Sequence, residues 1–258
     1  MKKIKTFLNY TILPAALLIL WWALSKFSLV NQYLIPSPEK VLAAGLALIK
    51  SGELQKHLLV SLGRVSGGYG ISVLIALPIA LLFHYNPFIK KLFHGPFELL
   101  RAAPPLAMIP LLILWFGIGE KSKFAVIILA TFFPVFLNAL SGFDSTDKRW
   151  MELSRSLELS LKRHLRFVLI PAALPQLVTG LRLGFGYAWR ALLGAELFAS
   201  ASGLGYLITD AQQMARVDKA FVGIFTIGFL GLVFDALFRS LTRKLSPKIG
   251  DQNWGAYG

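Results

Sequence analysis

The chain has 258 residues, 55% of them hydrophobic, with no cysteine and a formal net charge of +14. Apolar content at this level, gathered into blocks of membrane-spanning length, excludes an ordinary soluble domain, and the missing cysteines exclude disulfides and thiolate metal chemistry. The four histidines (His57, His84, His94 and His164) are scattered without metal-ligand spacing, so neither a metal nor another cofactor is expected.

The first apolar block, 6–25, follows the basic start Met1-Lys2-Lys3-Ile4-Lys5. It exceeds a signal-peptide core and no small-x-small cleavage site follows Trp21-Trp22, so a retained membrane-spanning helix is predicted. Pro36-Ser37-Pro38-Glu39 comes next. Ser37 suits a helix N-cap, Pro38 its first position and Glu39 the positive end of its dipole. Val41, Leu42, Leu46 and Ile49 then share a stripe, which predicts an amphipathic helix over 38–50, either lying on the outer membrane surface or leading into the second span.

Second, third and fourth spans are predicted over 65–83, 102–119 and 124–143, none of which contains Asp, Glu, Lys or Arg. A fifth, 172–200, is interrupted by Arg182, Arg190 and Glu196, and a sixth, 220–242, by Asp235 and Arg239. The fold class is therefore all-α: one polytopic membrane domain, 1–258, with six transmembrane helices. Pro78, Pro104, Pro105, Pro110, Pro134 and Pro175 punctuate the spans, marking either helices that line a pathway or simple packing kinks. Gly63 with Gly67, and Gly180 with Gly184, are small-xxx-small pairs suited to close helix contact, within the chain or between copies.

Basic residues crowd the loop 144–167 (Lys148, Arg149, Arg155, Lys162, Arg163, Arg166) and both termini, whereas the alternate loops are more sparsely basic. The positive-inside rule places that loop and both termini in the cytoplasm, and attraction to anionic lipid, not nucleic acid, accounts for the charge. Ionisable residues inside spans are costly and face a cavity or a partner. Arg182 and Arg190 differ by about 80° around a helix and can share one side, which makes them, with Glu196, candidates for a substrate pathway; the alternative for Arg182 is snorkelling to the headgroups. Glu196 lies too far round the helix from Arg190 to pair with it, while Asp235 and Arg239 at i, i+4 predict a local structural pair.

Within the loop, Glu152-Leu153-Ser154 precedes Pro171 of Val168-Leu169-Ile170-Pro171 by 19 residues. This spacing resembles the EAA loop of ATP-binding-cassette importer permeases: Glu-Ala-Ala, three residues, Gly, nine residues, Ile-x-Leu-Pro. Further blocks resemble the nitrate, sulfonate and taurine branch of that family, in its order. They include Ser61-Leu62-Gly63-Arg64-Val65, Pro104-Pro105-Leu106-Ala107, Trp115-Phe116-Gly117-Ile118-Gly119-Glu120, Thr179-Gly180-Leu181-Arg182, Ala195-Glu196 and Ser202-Gly203-Leu204-Gly205-Tyr206. The resemblance runs from about Pro36 to Leu245.

It implies an importer permease (type I) fold with a cytoplasmic coupling helix. It also implies a second copy of the chain, two ATP-binding subunits on the cytoplasmic loops and an extracytoplasmic solute-binding protein. The chain has no Gly-x4-Gly-Lys-Ser/Thr phosphate loop, so it is expected to be non-catalytic, with ATP hydrolysis on a partner chain. The coupling helix is expected from about Lys148 to Ser160, with Leu153 and Leu157 as its apolar face. Glu152 is expected to cap backbone amides or pair with a basic residue of the ATPase. The motif alanines fall on Leu153 and Ser154 and its glycine on Glu158. Since positive φ is costly for glutamate, the loop is expected either to run as one longer helix or to meet a partner with a basic pocket. Permeases of this kind serve taurine, alkanesulfonates, nitrate, bicarbonate and vitamin precursors, so a small anionic solute and a bacterial plasma membrane are expected. The competing class is a self-sufficient secondary transporter coupling ions through Arg190, Glu196 and Asp235; an integral membrane enzyme lacks a nucleophile and base arrangement.

Overall fold

The computed structural model describes residues 2–27 and 29–245, with side chains over 12–27, 29–198 and 200–241, and every regular element among them is helical. In order these are α1 (Lys2–Lys26), α2 (Pro38–Lys50), α3 (Glu53–Tyr85), α4 (Pro87–Ala102), α5 (Ile109–Phe116), α6 (Glu120–Asp144), α7 (Lys148–Ser156) and α8 (Leu161–His164). A π-helical turn (Leu165–Leu169), α9 (Ile170–Ala199), α10 (Leu204–Gln213) and α11 (Val217–Leu245) complete the chain. Where one domain is expected, the chain forms two compact units: Met1–Leu59 with Ser202–Gly228, and Val60–Ala201 with Phe229–Gly258.

In the first unit, Ser37 caps α2 by accepting from Lys40 N–H, and Pro38 opens the helix. A hydrogen bond from its own backbone N–H, with further ones from Ser37 and Trp22, holds the Glu39 carboxyl below the ordinary carboxylate range. The buried stripe is Val41, Ala44 and Leu48, packed on Leu207 of α10 and Val222 of α11. Leu42, Leu46 and Ile49, which share the predicted apolar stripe with Val41, are 66%, 50% and 49% exposed, so that stripe is turned outward and Val41 alone of it packs within the unit. Ser51 and Gly52, the latter at φ 77, separate α2 from α3, so α2 is a helix of its own and not a lead-in. Trp21 stacks on Phe221 at 5.9 Å and donates from Nε1 to Pro36 O at 3.1 Å, anchoring α1 in this unit.

In the second unit, α3, α6, the π-helical turn and α9 build the main core from Ala76, Ala80, Phe83, Val135, Phe136, Ala139, Leu169 and Ala173. Glycines set how closely α6 and α9 approach. A Cβ on Gly180 would lie 2.6 Å from Asn138 Cβ, and one on Gly184 would lie 2.6 Å from Val135 Cγ2. The Gly180 and Gly184 pair therefore serves contact within the chain. Gly67 likewise meets Phe124 at 2.9 Å, whereas Gly63 has nothing within 4 Å.

The third predicted span is not one helix. Pro104 and Pro105 supply no N–H, and Ala103 ahead of them is extended at ψ 123, so α4 stops and only the eight residues of α5 resume. Eight residues rise about 12 Å, well short of a bilayer core. Instead α4 lays Phe97 on Phe83 and Phe136, at 5.1 and 5.2 Å. Pro105, between α4 and α5, and Pro134, inside α6, line a cavity of about 340 Å³ with Arg101, Asn138 and Tyr187. Four helices are long and apolar enough to cross a membrane: Glu53–Tyr85, Glu120–Asp144, Leu161–Phe198 and Val217–Leu241. Ile12–Lys26 is a shorter apolar helix.

Candidate functional site

The basic loop folds as a helical hairpin. Asp147 caps α7 by accepting from Arg149 N–H, which takes the capping position that the sequence offered to Glu152; Glu152 is exposed instead, without a side-chain partner among the described residues. The helix ends at Ser156, not near Ser160. Glu158 N–H donates to Arg155 O at 3.0 Å and Leu159 N–H to Ser154 O at 3.1 Å, a Schellman closure with Glu158 at φ 48. The single longer helix is thus not formed. Glu158 takes the left-handed conformation in which the motif carries glycine, since closing the hairpin satisfies carbonyls that would otherwise be left open.

Two faces of α7 have different work. Ser154 is buried, with Oγ 2.7 Å from His164 Nδ1 at the end of α8, so it holds the hairpin closed and is not available to a partner. His164 Nε2 is buried without a hydrogen-bond partner among the described residues, beside a cavity of about 470 Å³ that Met151, Arg155 and Glu158 also line. On the outer face, Leu153 and Leu157 are 47% and 62% exposed, and Trp150 joins them at 57%. These three lie within about 60° around the helix and form one apolar stripe among Lys148, Arg149 and Arg155. Trp150 escaped the motif comparison because the motif begins at Glu152; the i, i+3, i+7 spacing in a basic loop was the available signal.

Glu196 is not in an open path. It is 1% exposed, accepts from Ser61 Oγ at 2.8 and 2.9 Å, and pairs with Arg64 Nη1 at 2.9 Å. Arg64 reaches Glu120 at 2.6 Å with its other terminal nitrogen, and Lys123 lies 3.4 Å from the same carboxylate. Three helices, α3, α6 and α9, are thereby joined by a charge network that is buried at Arg64 and Glu196 and open to the surface at Glu120. Its other residues were legible only within strings that resemble the permease family; a charge in one apolar helix implies a partner in another, but sequence does not say which.

Arg182 does not snorkel. Its Nη2 lies 2.6 Å from Asp235 Oδ1 on α11, while Asp235 Oδ2 is 2.6 Å from Arg239 Nη2, so the expected local pair exists but is one half of a bridge between helices. Arg190 is exposed and makes no hydrogen bond or ion pair with any described residue, yet it lines the same cleft as Arg182. No group of three or more His, Cys, Asp or Glu able to hold a metal occurs among the described residues.

Long apolar helices, a closed amphipathic hairpin in a basic loop and a charge network among three spans define a membrane permease. Residues 68–247 match the binding-protein-dependent transport system inner membrane component family, and the chain belongs to it. It is 36% identical to a putative aliphatic sulfonates transport permease protein of Bacillus subtilis over 91% of this chain and 85% of that one. To the taurine transport system permease protein of Escherichia coli it is 35% identical, over 92% and 88%. In fold it is similar to a chain of the MetNI methionine ABC transporter in an inward-facing conformation, with TM-score 0.63 and 16% identity over 72% of this chain and 93% of that one. The chain is accordingly a non-catalytic permease subunit of an ATP-binding-cassette importer, and the secondary-transporter reading falls away.

Proposed function

We propose that two copies of this chain form the pathway of an importer for a small anionic solute of the aliphatic sulfonate or taurine kind, and that α7 is where each of two ATP-binding subunits docks. The observation that carries the docking is the exposed stripe Trp150, Leu153 and Leu157 on a helix whose adjoining edge is fixed by Ser154 and His164. An apolar stripe ringed by basic residues is the ordinary form of a helix that enters a groove. Glu152, on the flank of α7 turned away from the stripe, and Glu158, in the closing turn, are both exposed and open to basic groups of the same partner.

In this reading both termini and α7 face the cytoplasm, where the basic residues gather, and a solute-binding protein meets the opposite side. The chain crosses six times, α4 and α5 together making one broken crossing, and lipid covers the exposed apolar faces. The named solutes of the two relatives support the solute class, as do Arg182 and Arg190 in the fifth span.

The test is co-expression with candidate ATP-binding subunits, comparing wild type with Leu157→Asp in lipid. Loss of co-purification and of ATPase stimulation, with the permease still folded, is expected. Unchanged assembly with a functional ATPase would remove α7 as the docking helix.

A further inference from the structure

In the second unit α9 and α11 enclose a cleft of about 290 Å³, lined by the aromatic rings of Phe185, Trp189 and Phe234 and by Arg182, Arg190 and Asp235. The rings pack edge to face: Phe185 lies 4.8 Å and Trp189 5.4 Å from Phe234. Both helices are apolar enough to cross a membrane, where charge and unpaired donors are retained only for a partner.

The cleft has donors in excess. Trp189 is 6% exposed, and its Nε1, which can only donate, is buried with no acceptor among the described residues. Arg190 has no acceptor there either. Asp235 is engaged by Arg182 on one oxygen and by Arg239 on the other, each at 2.6 Å, and makes no hydrogen bond or ion pair with Arg190. The lining thus carries two guanidiniums against one carboxylate. Orphaned buried donors are rare in proteins, since leaving one unsatisfied costs its full desolvation. Gly231 of α11 lies against the indole edge: a Cβ there would stand in ordinary contact with Nε1, at 3.9 Å.

We infer that this cleft binds an oxyanion of the sulfonate or phosphate kind that carries an apolar group. Arg190 and Trp189 Nε1 donate to its oxygens, and the faces of Phe185 and Phe234 take the apolar part. Such an anion reaches the cleft either as a transported solute or as the headgroup of an anionic lipid, and the chemistry is the same. The inference stands on the cleft and does not depend on α7 docking.

The full-length protein in phosphatidylcholine nanodiscs would be titrated with hexanesulfonate by calorimetry. In parallel, native mass spectrometry would count phosphatidylglycerol retained from mixed nanodiscs. Saturable binding of one probe is expected, weakened about tenfold or more by Arg190→Gln and by Trp189→Phe, as for loss of a charge-assisted hydrogen bond, and largely restored by Arg190→Lys. Hexanesulfonate binding without retained phosphatidylglycerol assigns the cleft to a solute. Retained phosphatidylglycerol that Arg190→Gln releases assigns it to a lipid headgroup. Arg190 is exposed, so its variant folds and carries the test even where Trp189→Phe does not. Binding of neither probe, or binding indifferent to Arg190→Gln, overturns the inference.

Discussion

Arg64 Nη1 lies 2.9 Å from Glu196 Oε1, an ion pair whose two side chains are 7% and 0% exposed. It joins α3 to α9, and Glu120 draws α6 into the same network through the other end of the guanidinium. A buried pair of this kind is not by itself strongly stabilising, because both charges were taken out of solvent to form it. Its removal on one side only is another matter.

Arg64→Met leaves Glu196 buried without its guanidinium partner, and the expected loss is about 3–5 kcal/mol of stability. Glu196→Gln keeps an acceptor for both neighbours and is expected to cost less, about 1–3 kcal/mol. Unfolding in mixed detergent micelles measures both. A loss under about 1 kcal/mol for Arg64→Met would mean that the guanidinium is not the main partner of Glu196.

Glu158 at φ 48 and Ala215 at φ 56 both stand where helices close into left-handed turns. Glycine adopts that conformation without a Cβ penalty, so Glu158→Gly and Ala215→Gly are each expected to stabilise the fold by about 1 kcal/mol. The pair separates strain from function. Ala215 lies outside the hairpin, so its variant changes stability alone, and Glu158→Gly that lowered stability would show that the glutamate side chain contributes more than its backbone costs.

Most of the helical architecture was legible because apolar length dominates it. The 38–50 helix was read to its ends, since Ser37, Pro38 and Glu39 declare its start. What the sequence hid was of two kinds. Some was local geometry overruled by closure, as at Glu158, where the cost of a left-handed glutamate is smaller than that of an open helix end. The break at Ala103 was over-simplified for the opposite reason: the apolar count bridged two prolines that the backbone does not. The rest was pairing at long range. Glu196 was recognised as a charge out of place, but its partner Arg64 stands 132 residues away, and no spacing rule reaches that far.

Close contact of α6 with α9 makes its glycines sensitive. Gly180→Ala puts a methyl 2.6 Å from Asn138 Cβ, and Gly184→Ala puts one 2.6 Å from Val135 Cγ2, so each is expected to cost about 1–3 kcal/mol through forced displacement. Gly63 has open space on the same measure. In the isolated chain Gly63→Ala is expected to gain up to about 1 kcal/mol from helix propensity. If that face receives the second copy, the same change lowers the dimer fraction by cross-linking while thermal stability of the monomer rises.

Trp150 contributes the largest side chain to the exposed stripe of α7 and is 57% exposed. Large aromatics at the centre of an interface carry more of the binding energy than the rim around them. Trp150→Ala is therefore expected to weaken binding of the ATP-binding subunit by about 2–4 kcal/mol, more than Glu152→Gln, which alters an exposed charge worth about 0–1 kcal/mol. Because the indole is exposed, thermal stability of the permease should hold, which distinguishes this variant from Ser154→Ala, expected to loosen the hairpin and to lower both properties. Binding of purified ATP-binding subunit to nanodisc-embedded permease measures the difference. Equal affinity for wild type and Trp150→Ala would place the docking contact on the charged faces of the hairpin and not on its apolar stripe.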